Sequence, residues 1–413
     1  MKASILTIGT ELLIGQVINT NAAWMGESLN ALGIEVAHVI SISDEKESII
    51  RGIQQSLDIS DLVLITGGLG PTNDDITKKV LAEYLGVDLE FSEETFIQLK
   101  ARFDRARYPV NESHRVQCYL PKGATLLENK LGTAPGMLFS LPDNKRILSM
   151  PGVPYEMKYI FENGLVPMLK KSSPNTIVHK TIMTAGVGET IVAARIEAVE
   201  NTLPENVDLA YLPSSGTVRV RVSGKENKEG NVGETVEQIS NQITDLLGDK
   251  VFGFDDISLM EVIQEKAISK GITVGTAESC TGGKIAHRLT QIPGSSQYYL
   301  GSIVAYDYGL KTKMLHVKED TLLSYGAVSE ETVIEMKEGL LEVLGVDVAL
   351  SISGIAGPGG GTPDKPVGTV WMAVGNKSKT ITKKFVFGQD RIRNIEYSTV
   401  NALNMLRKFL LEV

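Results

Sequence analysis

Cysteine is nearly absent from this chain, since 413 residues hold only Cys118 and Cys280, far apart and in no C-x-x-C pairing. A disulfide framework and a thiolate metal cluster are both excluded by that count, and the two read as reduced thiols. Aromatic residues make up only 6%, and Lys and Arg form no run. The stacking platform and the basic stripe that hold extended nucleic acid are thus missing, and the net charge of −9 is spread along the chain. No stretch approaches the ~18 to 20 apolar residues that span a bilayer. The apolar run in Met1 to Gly9 is too short for a signal peptide. The expectation is a cytoplasmic protein with no direct nucleic-acid partner and no membrane partner.

What is present is the composition of a folded protein, 42% hydrophobic and 22% charged. At about 150 residues per domain, the length predicts roughly three modules. In the first, residues 1–170, short β-rich runs (Ser4–Ile8, Val36–Ile42, Leu62–Thr66) alternate with helical stretches (Asn21–Leu32, Lys78–Leu85). That alternation predicts a doubly wound, mainly parallel sheet with ligands at the strand C-termini. The polar stretch Lys170–Asn175 is the expected first linker. Residues 175–250 then read as β-α-β-β-α, a small KH-like α+β spacer. Its loop Ala185-Gly-Val-Gly188 is not the G-x-x-G clamp of nucleic-acid-binding KH modules. Such a spacer suits a structural or two-fold oligomerising role, so a homodimer is expected. A second seam near Gly253–Asp256 opens the third module, residues 256–413, again α/β, with a helix capped by Ser258.

Two segments of the third module carry chemistry. In Ala277-Glu-Ser-Cys-Thr-Gly-Gly283 a strand turns into a helix starting near Thr281, where backbone N–H groups suit a phosphate or an oxyanion. Ser279 is the candidate nucleophile there, with Cys280 a rival; the bland alternative is that Ser279 and Thr281 only cap the helix. None of the five histidines sits in a partner motif, which leaves lysine as base if burial lowers its pKa. Lys311, close to Tyr306 at a strand end, and Lys284 are the candidates. The glycine-rich loop Ile352–Thr362, with Gly354, Ala356 and Gly357, suits a nucleotide's phosphate or ribose; the alternative is a surface turn.

A-E-S-C-T-G-G, V-x-Y-x-x-x-x-K, G-A-V-S-E at 326–330, S-I-S-G-I-A-G-P and K-P-V-G-T-V-W at 365–371 fall in the order of the CinA C-terminal domain, which the third module resembles. The resemblance implies a nicotinamide mononucleotide deamidase that releases nicotinic acid mononucleotide and ammonia without a cofactor. Ser279 would be its nucleophile, Lys311 its base with Tyr306 nearby, and Thr281, Gly282, Gly283 and the glycine loop would hold substrate. Arg391, with Arg393 second, would take the phosphate; Gln389 stands where the family often shows G-D-R.

In the first module, Ile65–Thr77 supplies a loop with Gly67, Gly68 and Gly70, then Asp74 and Asp75 as hard oxygen ligands for a divalent cation. Helix capping by Asn73 or Asp74 is the plainer alternative, and without G-K-[ST] the loop is no P-loop. Gly9-Thr-Glu11 and Pro151-Gly152 through Glu156 would converge on the same edge, and Asn19-Thr-Asn21 and Gly132–Gly136 add polar and glycine positions. This set resembles the molybdopterin-binding fold and, more closely, the CinA N-terminal domain. That resemblance implies ADP-ribose hydrolysis to AMP and ribose 5-phosphate with a divalent metal and potassium, with Asp75, then Asp74 and Glu11, as ligands. A pterin-binding N-terminal module and a non-enzymatic competence or recombination partner are the alternatives.

Overall fold

The computed structural model describes residues 1–70, 72, 75–172, 177–226 and 231–413. The chain divides into two compact units, Met1–Val178 and His179–Val413. No described helix is long and apolar enough to cross a membrane.

The first unit contains β1 (Lys2–Ile8), β2 (Glu35–Ile42), β3 (Leu62–Thr66), β4 (Leu89–Phe91), β5 (Tyr119–Pro121), β6 (Thr125–Leu127), β7 (Gly136–Ser140) and β8 (Arg146–Met150). Six of these form one sheet in the order β2-β1-β3-β8-β7-β6. The pairs β2-β1, β1-β3 and β3-β8 are parallel, whereas β7 and β6 run antiparallel at the edge. The Leu-Val-Leu-Ile-Thr run of β3 is buried throughout, as a central parallel strand covered on both faces requires. One cover is the helix Thr20–Ala31 with Met25 and Leu29, joined by Met157, Ile160 and Phe161. The other is built by helices Lys46–Ile59 and Thr77–Leu85 through Ile49, Ile53, Val80 and Leu81. The predicted parallel, doubly wound arrangement is therefore present, with an antiparallel edge that alternation alone did not announce. The polar stretch expected as the first linker begins inside a helix, Val166–Ser172.

A second sheet, most of whose residues lie in the second unit, contains β9 (Ile177–Ala185), β10 (Val207–Ser214), β11 (Thr217–Lys225) and β12 (Val251–Phe254), in the order β10-β11-β9-β12. Helices Glu189–Glu200 and Val232–Leu247 complete the KH-like fold. Residues 253–256 were expected as a seam, but Val251–Phe254 pairs antiparallel with β9 and closes the sheet. A five-stranded sheet follows with β13 (Val274–Glu278), β14 (Tyr299–Val304), β15 (Val348–Gly354), β16 (Thr369–Gly375) and β17 (Thr380–Val386), ordered β14-β13-β15-β16-β17. β14, β13 and β15 are parallel; β16 and β17 are antiparallel. Helices Leu259–Lys270 and Arg391–Glu412 cover one face and Glu330–Leu344 the other. Ser258 caps the first of these through a reciprocal pair, accepting from Glu261 N–H at 3.2 Å and donating its own N–H to Glu261 Oε2 at 2.7 Å.

The KH-like module is not a free spacer. Ala185 and Phe252 share one apolar core with Leu403, Leu406 and Phe409 of the last helix. Buried Arg407 donates to the carbonyls of Asp249 (2.8 Å) and Val251 (3.3 Å) and to Asn404 Oδ1 (3.0 Å). Asn404 Nδ2 in turn donates to Ala185 O at 3.2 Å.

Candidate active site

β13 delivers Ser279 one residue past its end, and an adjacent helix, Tyr308–Leu315, delivers Lys311. Asp307 starts that helix by accepting from Gly309 N–H at 2.7 Å, which turns Lys311 inward. Its Nζ lies 3.0 Å from Ser279 Oγ, 2.6 Å from Ala305 O and 3.2 Å from Tyr306 O. Lys311 is 1% exposed, and burial pulls its pKa down from 10.5 to about 8. The rivals fall away on geometry. Lys284 is paired with Glu396, and Cys280 packs into the apolar core, where burial pushes its thiol up to about 12.

The turn after Ser279 differs from expectation. The helix starts at Lys284, not near Thr281, and its leading donors are already taken. Fully buried Glu278 accepts from the N–H groups of Gly283 (3.0 Å), Ile285 (3.1 Å) and Ala286 (2.8 Å), and from Thr281 Oγ1 (2.7 Å). A phosphate therefore finds no donors at this helix start, and Gly282 and Gly283 shape the turn instead of facing an anion. Ser279 N–H donates to Ile352 O at 3.1 Å. The N–H groups of Cys280 and Thr281 have no backbone acceptor among the described residues.

Tyr306, Arg391 and the glycine loop are tied together beside Lys311. Arg391 Nη1 donates to Gly357 O at 2.7 Å and Nη2 to the Tyr306 hydroxyl at 3.0 Å. That leaves part of a five-donor guanidinium for a ligand. Buried Asn394, unforeseen in the sequence, ties the same helix to Ala356 O (3.0 Å) and Gly388 O (2.9 Å). Gly354 sits so close to Val370 and Cys280 that a Cβ would come within 2.6 Å of the valine side chain. Arg393, two positions along the same helix, is exposed and its side chain has no hydrogen bond among the described residues.

In the first unit a cleft of ≈140 Å³ opens at the C-terminal edge of the parallel strands, lined by Thr7, Glu11, Leu12, Asn21, Thr66 and Gly152 among others. Asn21 Nδ2 donates to Gly152 O at 2.7 Å, while its Oδ1 is buried without a partner. Gly67 has φ +114°, and a Cβ there would lie 2.1 Å from Ile8 O, so only glycine lets the loop cross the end of β1. Gly9 lies against Glu11, Gly68 against Thr77, and Gly70 against Asp75. Asp75 Oδ2 accepts from the N–H of Thr72 at 2.9 Å and from its hydroxyl, so that oxygen is taken by the turn. Asn73 and Asp74 lie outside the described residues, and among the described residues no three His, Cys, Asp or Glu side chains converge as a metal site.

Comparison with known proteins follows this division. Residues 4–171 match the family model for a probable molybdopterin binding domain, 179–253 the damage-inducible protein CinA KH domain, and 256–410 the CinA C-terminal domain. A CinA-like protein of Chloroherpeton thalassium is 44% identical over 417 residues, covering 99% of this chain and 99% of the relative. A putative competence-damage inducible protein of Clostridium botulinum is 38% identical over 412 residues, covering 99% and 100%. Among solved structures, CinA of Thermoplasma acidophilum is 33% identical and covers 41% of this chain and 96% of that one, with a TM-score of 0.37. With three matching domains in order and relatives similar over nearly their whole length, the chain belongs to the CinA family.

Proposed function

We propose that the C-terminal domain hydrolyses the carboxamide of nicotinamide mononucleotide to nicotinic acid mononucleotide and ammonia. The reading is carried by one observation, the 3.0 Å approach of Lys311 Nζ to Ser279 Oγ between two buried side chains. In the neutral form two Lys311 N–H groups occupy the carbonyls of Ala305 and Tyr306, and the lone pair is left for the serine hydroxyl. Ser279 Oγ attacks the amide carbon as its proton passes to Lys311. The oxyanion is met by the N–H groups of Cys280 and Thr281. Collapse breaks the C–N bond, Lys311 returns the proton to the leaving nitrogen, and ammonia departs. Water, deprotonated by the same amine, then cleaves the acyl-serine and frees the acid. Arg391 binds the substrate phosphate with its remaining donors. The test is ammonia release from nicotinamide mononucleotide by the parent and by Ser279→Ala. No release by a folded parent overturns the reading.

A second reading concerns the N-terminal domain, where the unpartnered Asn21 Oδ1 in the strand-end cleft favours a polar ligand. We infer that this ligand is ADP-ribose, cleaved to AMP and ribose 5-phosphate. Asp75 and Glu11 are the described candidates for a cation, but the described donor set does not amount to a metal site, and no step is assigned to one. Calorimetric titration with ADP-ribose and with molybdopterin separates this reading from a pterin-binding module: heat with the pterin alone overturns it.

A further inference from the structure

The carboxylate of Glu278 belongs to neither the nucleophile nor the base, yet it is fully buried at the last position of β13, directly before Ser279. Its main chain is locked on both sides, with Glu278 O accepting from Ala305 N–H at 2.9 Å and Ser279 N–H donating to Ile352 O at 3.1 Å. Its side chain reaches over the turn and collects three backbone N–H groups and one hydroxyl, from Thr281, Gly283, Ile285 and Ala286. No Lys, Arg or His among the described residues forms a salt bridge with it, so these four donors are what compensates a buried charge. Burying a carboxylate costs several kcal/mol unless every lone pair is met. A feature this expensive, placed beside a nucleophile, calls for an explanation that helix capping by a Ser or Asp would not need.

We propose that Glu278 is the positioning residue of the oxyanion turn, a role that rests on the Ser279–Lys311 reading. By drawing the hydroxyl of Thr281 and the N–H groups beyond it onto itself, the carboxylate holds residues 279–283 in a tight loop. The N–H groups of Cys280 and Thr281 are then the ones left over for the reacting oxygen. Because the donors of the following helix are consumed, an anion cannot bind there in competition. An amide cannot replace the carboxylate. In the Glu278→Gln variant one of the two acceptor positions becomes an NH2 group, which would face the N–H of Ala286 or those of Gly283 and Ile285, donor against donor.

The experiment uses a fluorophosphonate probe on the full chain, which requires no knowledge of the natural substrate. Ser279 Oγ bonds to phosphorus as the P–F bond breaks; the proton passes to Lys311, fluoride leaves, and the P=O oxygen sits in the oxyanion turn. The expected result is that the parent is labelled at Ser279, Ser279→Ala is not, and Glu278→Gln is labelled roughly 10²-fold more slowly, the scale of losing one oxyanion donor. Thr281→Val, which removes one of the four donors and keeps the charge, should fall between. With nicotinamide mononucleotide the loss should appear in kcat with KM unchanged, which a general loosening of the fold would not produce. Equal labelling rates for the parent and Glu278→Gln overturn the proposal while leaving the Ser–Lys reading intact; if Glu278→Gln does not fold, equal rates for the parent and Thr281→Val do the same. An unlabelled, folded parent overturns the Ser–Lys reading itself.

Discussion

The hydroxyl of Tyr306 accepts a hydrogen bond from Arg391 Nη2 at 3.0 Å, while the carbonyl of the same tyrosine accepts one from Lys311 Nζ at 3.2 Å. One residue thereby spans from the proposed base to the proposed phosphate anchor, and the guanidinium and the amine are held as parts of one wall.

From that wall comes a contrast between two neighbouring arginines. Arg391→Ala removes the contacts to Gly357 O and Tyr306 and should raise KM for nicotinamide mononucleotide about tenfold or more, the worth of one charge-assisted hydrogen bond. Arg393→Ala should leave KM near the parent value. Steady-state kinetics on both variants decides between the two arginines.

The pH dependence follows from Lys311, whose pKa is lowered to about 8 by burial. The base works as the neutral amine, so kcat should be flat above pH 8 and fall roughly tenfold per pH unit well below it. A rate that rises as the pH drops through this window would assign the proton transfer to another group.

Lys78 in the first unit has its pKa lowered to about 8, chiefly by burial, with Nζ 2.8 Å from Val116 O. Its folded value lies below the unfolded value of 10.5, so between about pH 8 and 10.5 the unfolded chain binds more protons. Its contribution to stability therefore rises with pH across that window and is lost below it. Urea unfolding at pH 8 and 10 should show a smaller upward pH slope in Lys78→Met than in the parent.

Arg407 is expected to be a stability residue of the second unit. Truncation to Ala leaves the carbonyls of Asp249 and Val251 and the Asn404 amide oxygen without their donor. The cost should be about 3 kcal/mol or more, measured by urea denaturation, and the KH-like sheet should lose its protection from hydrogen exchange.

Gly67→Ala tests the N-terminal cleft separately. A Cβ 2.1 Å from Ile8 O forces the loop off the sheet edge, so ADP-ribose binding should be lost by calorimetry. Ammonia release from nicotinamide mononucleotide should continue at the parent rate.

Much of this protein was readable in its order of residues. Apolar runs with period 2 or 3.6 located the central parallel strands of the first sheet and the helices that cover them to within a residue or two, because local periodicity sets which face is buried. The strand Leu62–Thr66 has the predicted bounds. Edge elements were not readable: β6, β7, β12 and β17 lie at or beside a sheet edge, and their existence depends on a partner strand that arrives from elsewhere in the chain. The helix Glu93–Ala106 was likewise missed, although Ser92 marks its start by accepting from Thr95 N–H at 3.2 Å.

At the C-terminal site, residue type and turn position nominated Ser279, with Cys280 as rival, and either Lys311 or Lys284 as base, since a serine at a glycine-bearing strand end needs a base within reach. Tertiary structure decided everything that depends on competition. Lys311 loses water and Lys284 gains Glu396 because of where their helices lie. Glu278 takes the helix donors because burial leaves it no other partner. The KH-like module becomes part of one core with the last helix because Arg407 and Asn404 meet carbonyls that lie 156 to 219 residues away in sequence. Sequence patterns specify local conformation and which groups require partners; which donor meets which acceptor is settled only when distant segments pack and exclude water.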